Sequence, residues 1–399
     1  MNLTGLETHL SYGRLIFYSE INVTDTSIDE RSNLIPVNII TGFLGSGKTT
    51  LLNHWVNSPE LKDTLVLINE FGDVGLDHEL VQSIDDTVVL LGSGCICCSL
   101  QGALIDCLAQ NLVKAQQGVI PKFNRVLIET TGLADPAGVI ATLNGDDYLI
   151  ENFYYAGTVT VVDAKFIAEQ LKKQYEAVKQ IALSDLILIS KTDLVDSDDL
   201  DPIYDICRKI NPNSRIIPMV RGNVPPKLLF ETGPYENTEQ DYETKVKSWL
   251  ELKTPVAGSF RPASVQGDIG VAKRRIIAHT DIDSFALEHE EPIDALTLLA
   301  AIGGVSDLYG DSILRIKGIL NITDQDKPVI VHAVMGMLYP LATMNKWPDN
   351  HPCSKLVFIC RASVMDQIKH MFSKLLDNPD QASMDYYRQM INNAGIVDE

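Results

Sequence analysis

The stretch GFLGSGKT, residues 42–49, decides the fold of this chain. It follows an apolar, β-prone run at 34–40 and precedes a segment with apolar residues at helical spacing, 51–56. A strand, a glycine-rich loop and a helix in this order form the setting of a phosphate-binding loop. The glycines let the backbone curl so that successive N–H groups point inward, and the helix start adds its positive dipole end. The stretch therefore predicts a nucleotide site.

Each polar group of this loop has an expected part in binding a nucleoside triphosphate. Lys48 would reach the β- and γ-phosphates, and the Thr49 hydroxyl would hold Mg²⁺. A glycine-rich turn without a ligand is the alternative, which the flanking strand and helix patterns disfavour. The predicted nucleotide-binding residues of the loop are Gly42, Gly45, Ser46, Gly47, Lys48, Thr49 and Thr50.

Length and composition exclude several classes of protein. A chain of 399 residues is too long for one ordinary domain, and its 45% apolar content permits a sizeable core. The formal net charge of −20 argues against a nucleic-acid partner. No apolar run approaches the length of a membrane span, and the N-terminus lacks the pattern of an export signal. We expect a cytoplasmic protein whose seven cysteines are mostly reduced.

Strand and helix patterns alternate from residue 34 to about residue 220. This alternation predicts an α/β fold with a doubly wound, mostly parallel sheet. Ligands of such sheets lie at the carboxyl ends of the strands, which is where the motifs below fall. The predicted strands are 36–41, 64–69, 87–91, 125–130, 158–162, 186–190 and 215–219, with helices that include 100–113 and 199–210.

A second, smaller α+β domain is predicted after a stretch in which the pattern weakens. Its predicted strands are 284–287, 313–320, 329–334 and 356–360, and its predicted helices are 293–302 and 364–375. We expect the polar tail after Asn378 to be mobile. The predicted division is an N-terminal extension 1–33, a P-loop domain 34–221, a linker 222–276, a C-terminal domain 277–376 and a tail 377–399.

The segment RVLIETTG, residues 125–132, resembles the second motif of nucleotide-binding sheets. An apolar strand ends in Glu129, whose carboxylate would bind Mg²⁺ directly or position the attacking water. The backbone of Gly132 would contact the γ-phosphate and respond to its loss. The alternative is a strand-end carboxylate with no ligand.

The segment LILISKTD, residues 186–193, supplies candidates for recognition of the base. Asp193 would accept two hydrogens of guanine, a pair that adenine does not offer, so it would select GTP. The stem of Lys191 would lie along the base, and Ser190 would donate a hydrogen bond. A solvated turn is the alternative.

The cluster GCICCS, residues 94–99, places three of the seven cysteines within four positions. Cys95, Cys97 and Cys98 are typical of soft-metal binding by thiolates, with a missing ligand supplied from elsewhere. Buried packing and redox chemistry at Cys97–Cys98 are the alternatives.

Among the acidic residues of the segment NEFGDVGLD, Asp73 is a candidate additional ligand, and a solvated acidic loop is equally compatible. Cys107, Cys207, Cys353 and Cys360 are expected to be core or incidental thiols, and His332 a strand histidine rather than a ligand.

On these motifs the chain resembles the CobW-type family of P-loop GTPases. That family belongs to the same broad class as the nickel-enzyme maturation GTPases UreG and HypB. The resemblance extends from about residue 35 to residue 372 and includes GFLGSGKTTLLN, NEFG, GCICC, ETTGLADP, VTVVDA, SKTD, RIKGIL and LVFICRAS. Membership implies hydrolysis of GTP coupled to insertion of a transition metal bound at the cysteine turn.

The resulting hypothesis is a GTP-hydrolysing metal chaperone with Lys48 and Glu129 as catalytic residues. Its cofactors would be GTP and Mg²⁺, and its cargo Zn²⁺ or, next, Co²⁺. Its partner would be a client metalloprotein, with a homodimer as the candidate assembly and no membrane. Two alternatives are a P-loop kinase acting on a small molecule, and a nucleotide-gated interaction protein whose cysteines stabilise the fold.

Overall fold

The computed structural model describes residues 34–68, 88–90, 100–232, 281–339, 342–344, 346–347, 351–378 and 381–393. The predicted metal ligands Asp73, Cys95, Cys97 and Cys98 lie outside these ranges. The same is true of the predicted N-terminal extension and of most of the predicted linker. What the structure shows of the nucleotide site therefore comes from the phosphate-binding loop and from the strands on either side of it.

The N-terminal domain is built on a seven-stranded sheet with the order β3-β2-β4-β1-β5-β6-β7. Every pairing in it is parallel, so all its strands end at the same edge. The predicted parallel α/β sheet is thereby confirmed. The strands are β1 Ile35–Thr41, β2 Thr64–Ile68, β3 Val88–Leu90, β4 Arg125–Glu129, β5 Phe153–Asp163, β6 Leu186–Ser190 and β7 Arg215–Met219.

Helices cover both faces of this sheet. Strands such as β2 and β6 are therefore buried along their whole length. Asp135 caps the N-terminus of the helix that begins at Pro136, because its carboxylate accepts a hydrogen bond from the Ala137 N–H. The helices of this domain are α1 Lys48–Val56, α2 Leu100–Gln116, α3 Pro136–Gly145, α4 Asp147–Asn152, α5 Ile167–Lys173, α6 Tyr175–Ala182 and α7 Ser197–Ile210.

Strand β5 is longer than the apolar run predicted at 158–162. It begins at Phe153, and its register against β1 shifts between Val37 and Asn38, so that Ala156 is an additional residue on the β5 side. Gly157 follows with φ 131°, and a Cβ there would lie 2.5 Å from the Thr232 hydroxyl. This bulge interrupts the apolar pattern, and for that reason the first half of the strand was missed.

Residues 222–232, assigned from the sequence to the linker, pack against the N-terminal domain. The indole of Trp55 donates to the Val224 carbonyl at 2.9 Å, and the Asn38 amide donates to the Thr232 hydroxyl at 3.1 Å. Arg125 stacks over the Phe230 ring at 4.5 Å from its centroid. This segment therefore adds to the core of the domain. The predicted domain boundaries themselves remain predictions.

The C-terminal domain is an antiparallel sheet with the order β11-β10-β9-β13-β8, with β12 paired to β10. Helices α8 and α9 cover one face through a core that includes Phe285, Phe358 and Phe372. This is the predicted small α+β domain. Its elements are β8 Ile282–His289, α8 Ala295–Tyr309, β9 Ile313–Leu320, β10 Val329–Val334, β11 Met337–Leu338, β12 Ala342–Thr343, β13 Ser354–Arg361, α9 Met365–Asp377 and α10 Gln381–Asn393.

The last of these elements differs from expectation, because the tail was predicted to be mobile. Helix α10 instead packs against α8, and Met384 contacts the apolar core of the domain. A few apolar residues at helical spacing suffice once α8 offers them a surface, although the segment as a whole is polar.

One apolar cluster spans the junction of the two domains. Ile282, Leu314 and Ile359 of the C-terminal sheet belong to the same buried cluster as Ile181 and Ile206 of helices α6 and α7. Charged groups are also buried at this junction, where Arg315 and Lys317 of β9 meet Asp185 at the start of β6. Among the described residues, no helix is long and apolar enough to cross a membrane.

Candidate nucleotide site

The phosphate-binding loop follows β1 and leads into α1, as the sequence predicts. Gly42, Gly45 and Gly47 have φ angles of 144°, 71° and 101°, which side-chain-bearing residues rarely adopt. A Cβ at Gly42 would lie 2.2 Å from the Val161 carbonyl oxygen, so the loop also requires glycine there for space. The Lys48 ammonium donates to the Gly42 carbonyl at 2.9 Å and the Phe43 carbonyl at 3.3 Å, which places its charge inside the loop.

The loop also contains a buried polar group suited to an anion. Ser46 is fully buried, and its hydroxyl has no hydrogen-bond partner among the described residues. A buried hydroxyl without a partner is costly, and a phosphate oxygen bound in the loop would accept a hydrogen bond from it. The donor groups present therefore fit a polyphosphate.

A hydroxyl and a carboxylate meet beside the loop, where the sequence predicts Mg²⁺. The Thr49 hydroxyl donates to Glu129 Oε1 at 3.0 Å, and the Glu129 residue is 4% exposed. The adjoining strand ends are fixed, because Thr130 bonds to Thr41 at 2.8 Å and to the Ile40 carbonyl through its backbone N–H at 2.9 Å. A hydroxyl and a carboxylate are the ligands that Mg²⁺ prefers, so this pair fits the ion.

The loop after β4 contacts the phosphate-binding loop at Gly132. A Cβ at this position would lie 2.5 Å from the Leu44 backbone nitrogen and 2.7 Å from its Cα. No side chain other than hydrogen fits without movement of one of the two loops. The structure therefore brings Gly132 next to the phosphate-binding loop, as its predicted contact with the γ-phosphate requires.

Ser190 and Lys191, at the end of β6, both contact carbonyls of the phosphate-binding loop. The Ser190 hydroxyl donates to the Ser46 carbonyl at 2.6 Å, and the Lys191 ammonium donates to the Gly45 carbonyl at 2.7 Å. Lys191 has φ 57°, an uncommon value for a residue with a side chain. Their predicted contacts with a base remain predictions. What the structure shows is that the end of β6 fixes the backbone of the phosphate-binding loop.

Asp193 lies in the exposed 3₁₀ turn Thr192–Leu194 that follows. Its carboxylate is accessible for recognition of a base, which is the role predicted for it. The loop after the neighbouring strand β7 packs against the start of helix α1, since a Cβ at Gly222 would lie 2.9 Å from the Thr50 carbonyl oxygen. Sequence reasoning did not select this second loop.

Two further polar residues of the site were missed. Asp163, at the end of β5, accepts a hydrogen bond from the Lys191 ammonium at 2.6 Å, and its side chain is 2% exposed. Gln180 of α6 is 1% exposed and donates to the Gly132 carbonyl at 3.2 Å. A signal for Asp163 was present, because it is an acidic residue directly after an apolar strand. Gln180 has no local signal, because its partner lies 48 residues away.

The four cysteines outside the GCICCS cluster are free thiols, and Cys207, Cys353 and Cys360 are buried. Burial raises the pKa of the Cys207 thiol to about 12, and burial with the nearby Asp283 does the same for Cys360. These thiols stay protonated at neutral pH and act as core residues, as expected.

His332 is likewise buried in β10, stacked on Tyr339 with ring centroids 4.8 Å apart. Burial and the Arg315 charge hold the pKa of His332 well below its usual value.

A parallel sheet with this loop after its central strand defines a P-loop nucleoside triphosphatase. Two family descriptions match the chain: "CobW/HypB/UreG, nucleotide-binding domain" over residues 36–218 and "Cobalamin synthesis protein cobW C-terminal domain" over residues 282–376. The chain therefore belongs to the CobW family of P-loop GTPases, and the predicted family is confirmed.

Relatives of known structure and function agree with this assignment. The "Zinc chaperone YjiA" of Escherichia coli is 29% identical over 343 residues, which cover 86% of this chain and 99% of the relative. The "Zinc chaperone CobW" of a Sinorhizobium species is 27% identical over 334 residues, covering 75% and 85%. The crystal structure of a Zn(II)-bound triple mutant of YjiA GTPase is 25% identical and covers 86% of this chain and 99% of its own, with a TM-score of 0.61.

Proposed function

We propose that the protein is a GTP-hydrolysing metallochaperone that delivers a divalent transition metal, zinc first and cobalt next, to a client metalloprotein. The observation that carries the enzymatic part is the pairing of Thr49 with Glu129 beside the loop that contains the Lys48 ammonium. Support for the cargo comes from the relatives that are named zinc chaperones. A cytoplasmic location and the homodimer are parts of the proposal that rest on the sequence.

In this proposal each of the described site residues has a separate role in hydrolysis. The Lys48 charge stabilises the β- and γ-phosphate oxygens as negative charge redistributes in the transition state. Mg²⁺, bound through the Thr49 hydroxyl and Glu129, would neutralise charge on the same phosphates. The second oxygen of Glu129 would position the attacking water, and Asp193 would select guanine. The backbone of Gly132 would contact the γ-phosphate, and the loop around Gly132 would change conformation when the γ-phosphate is released.

The metal would be held by Cys95, Cys97 and Cys98, with Asp73 as an additional ligand. All four lie outside the described residues, so this part rests on the sequence and on the relatives. Relaxation of the loop at Gly132 after hydrolysis would change the segments that carry these ligands and so promote release of the metal. The client would complete the coordination as it receives the ion.

One experiment on the full-length protein tests both parts. Phosphate release from GTP and zinc affinity, by competition with a chromophoric chelator, are measured for the wild type, for Lys48→Ala and for the triple variant with serine at 95, 97 and 98. We expect Lys48→Ala to abolish hydrolysis and the triple variant to lose tight zinc binding. Cys107→Ser is the matched control, because it removes a partly exposed thiol outside the cluster and should keep full zinc affinity.

Zinc affinity of the wild type should also differ between the GTP and GDP states. Equal affinity in the two states would show that hydrolysis is not coupled to the metal. Transfer of phosphate to a small molecule without release of free phosphate would instead identify a kinase.

A further inference from the structure

Helix α6 lies between the loop after β4 and the C-terminal domain, and one of its side chains enters that loop. Gln180 is 1% exposed, and its amide nitrogen donates to the carbonyls of Gly132 at 3.2 Å and Ala134 at 3.1 Å. The same loop is closed by a bond from the Ala134 N–H to the Thr131 carbonyl at 3.1 Å. Gln180 therefore holds two carbonyls of the turn that contains Gly132.

We propose that Gln180 is a positioning residue for GTP hydrolysis, which holds Gly132 against the phosphate-binding loop. The inference rests on the proposed function, in which Gly132 contacts the γ-phosphate. Glycine has the widest choice of backbone conformation, so a bond to its carbonyl restricts the loop more than it would at another residue. Gly132 therefore contacts the Leu44 backbone on one side and accepts the hydrogen bond from Gln180 on the other.

Gln180 can hold the loop because α6 is itself firmly held within its own domain. The Thr160 hydroxyl of β5 donates to the Gln180 carbonyl at 2.8 Å. The preceding residue, Lys179, forms an ion pair with Asp135 at 2.6 Å, at the start of α3 and the end of the same loop. Helix α6 therefore contacts the loop through two adjacent side chains and the sheet through a third bond.

The C-terminal domain holds the two ends of this helix. Arg315 of β9 donates to the carbonyls of Leu183 and Ser184, just after α6, at 2.8 Å each. Arg361, at the end of β13, stacks over the ring of Tyr175, the first residue of α6, at 5.4 Å from its centroid. The position of Gln180 is therefore set partly by a domain that contributes nothing else to the described nucleotide site.

If the hydrogen bonds of Gln180 only stabilise the fold, its loss should not distinguish nucleotides with a γ-phosphate from those without one. The test therefore compares nucleotides that differ in the γ-phosphate. Affinities for GDP and for a non-hydrolysable GTP analogue, together with kcat for GTP, are measured on the full-length protein. Gln180→Met keeps the length of the side chain and removes its donor. We expect roughly tenfold weaker binding of the GTP analogue and a comparable fall in kcat, with GDP affinity unchanged.

Two further variants make the result decisive. Gln180→Glu keeps the shape and places a carboxylate against two carbonyls, so analogue affinity should fall further while GDP affinity again stays unchanged. Tyr175→Phe is the control on the same helix, because the Tyr175 hydroxyl is buried without a partner among the described residues, and neither affinity should change. Gln180→Glu also answers the question if Gln180→Met folds poorly.

Equal losses for GDP and the analogue, or no loss for either, would overturn the positioning role and leave Gln180 as a stability residue. Failure of the proposed function has a different signature. In that case the wild type would not hydrolyse GTP, or Lys48→Ala would hydrolyse it at the wild-type rate.

Discussion

Arg315 of the C-terminal domain and Asp185 of the N-terminal domain form an ion pair in which each side chain is 1% exposed. Lys317 reaches the same carboxylate at 3.0 Å, and the Tyr155 hydroxyl and the Thr158 N–H donate to its other oxygen. Burial alone would raise the pKa of Asp185, but the charges of Arg315 and Lys317 outweigh it and hold that pKa below its usual range. Buried charges therefore join the two domains at a fixed point.

Arg315→Met should destabilise the protein strongly, because it leaves the Asp185 charge buried without its main partner. Loss of one member of a buried pair costs about 3–5 kcal/mol in the free energy of unfolding. Urea denaturation followed by circular dichroism measures this value. Lys173→Met, which breaks the exposed pair with Glu169, is the control and should cost less than about 1 kcal/mol. A similar small loss for Arg315→Met would show that the buried pair contributes little.

Stability should rise with pH above neutrality because of Lys317. Burial lowers the pKa of Lys317 to about 7, Arg315 lowers it as well, and Asp185 opposes both. The unfolded chain keeps the ordinary value of 10.5, so between these two values it binds a proton that the folded state does not. A rise in pH through this window therefore increases the free energy of unfolding, and a fall in pH favours the unfolded chain. Between pH 7 and pH 9 the wild type should gain about 2 kcal/mol relative to Lys317→Met. Parallel pH profiles of the two proteins would contradict this prediction.

Gly132→Ala should impair the nucleotide site, because the new methyl group would collide with the Leu44 backbone. We expect kcat/KM for GTP to fall roughly a hundredfold, the effect of displacing a phosphate contact by about 1 Å. Gly138→Ala in helix α3 is the matched control, since no atom lies within 4 Å of its Cβ position. That variant should keep full activity and gain up to about 1 kcal/mol of stability. Similar activity in the two variants would disprove the steric argument.

Asp193→Asn should reduce the preference for GTP over ATP, since an amide cannot accept both hydrogens of guanine. Loss of a charge-assisted pair predicts a rise in KM for GTP of roughly a hundredfold, with KM for ATP little changed. Steady-state hydrolysis of both nucleotides provides the measurement. Asp198→Asn, an exposed acidic residue of the first turn of α7, should change neither constant. A wild type that prefers ATP would show that the base assignment is wrong.

Asp163→Asn tests the residue that fixes Lys191. The substitution removes the charge that attracts the Lys191 ammonium at 2.6 Å, so the lysine should lose its bond to the Gly45 carbonyl part of the time. We expect affinities for GTP and GDP to fall together, by roughly tenfold, because the predicted role of Lys191 is at the base, which both nucleotides have. Isothermal titration measures both affinities. A loss confined to GTP would place Asp163 on the phosphate side instead.

The sequence predicted those strands that are mostly apolar runs between turn residues. The bounds of β6, β7, β9 and β10 agree with prediction residue for residue. Helix α10 was missed because its stability depends on the surface of α8, which local patterns do not contain. Secondary-structure propensity and the spacing of apolar residues describe a segment by itself, whereas its packing partners depend on the fold of the whole chain.

The same distinction separates the predicted site residues from the missed ones. Lys48 and Thr49 lie within one loop, so their spacing alone identifies them. The contact of Gln180 with Gly132, and that of Arg315 with Asp185, join residues 48 and 130 positions apart. No regular spacing connects such pairs, so only the folded arrangement shows that they meet.

The apolar cluster common to Ile181 and Ile359 also limits how this protein can be divided. A fragment that ends after residue 232 would expose the faces of α6 and α7, together with an Asp185 carboxylate deprived of both cations. Such a fragment should aggregate or unfold, even though it contains the complete phosphate-binding loop. Exchange of C-terminal domains between relatives would meet the same obstacle, unless the contacting faces and the charges between them were exchanged together.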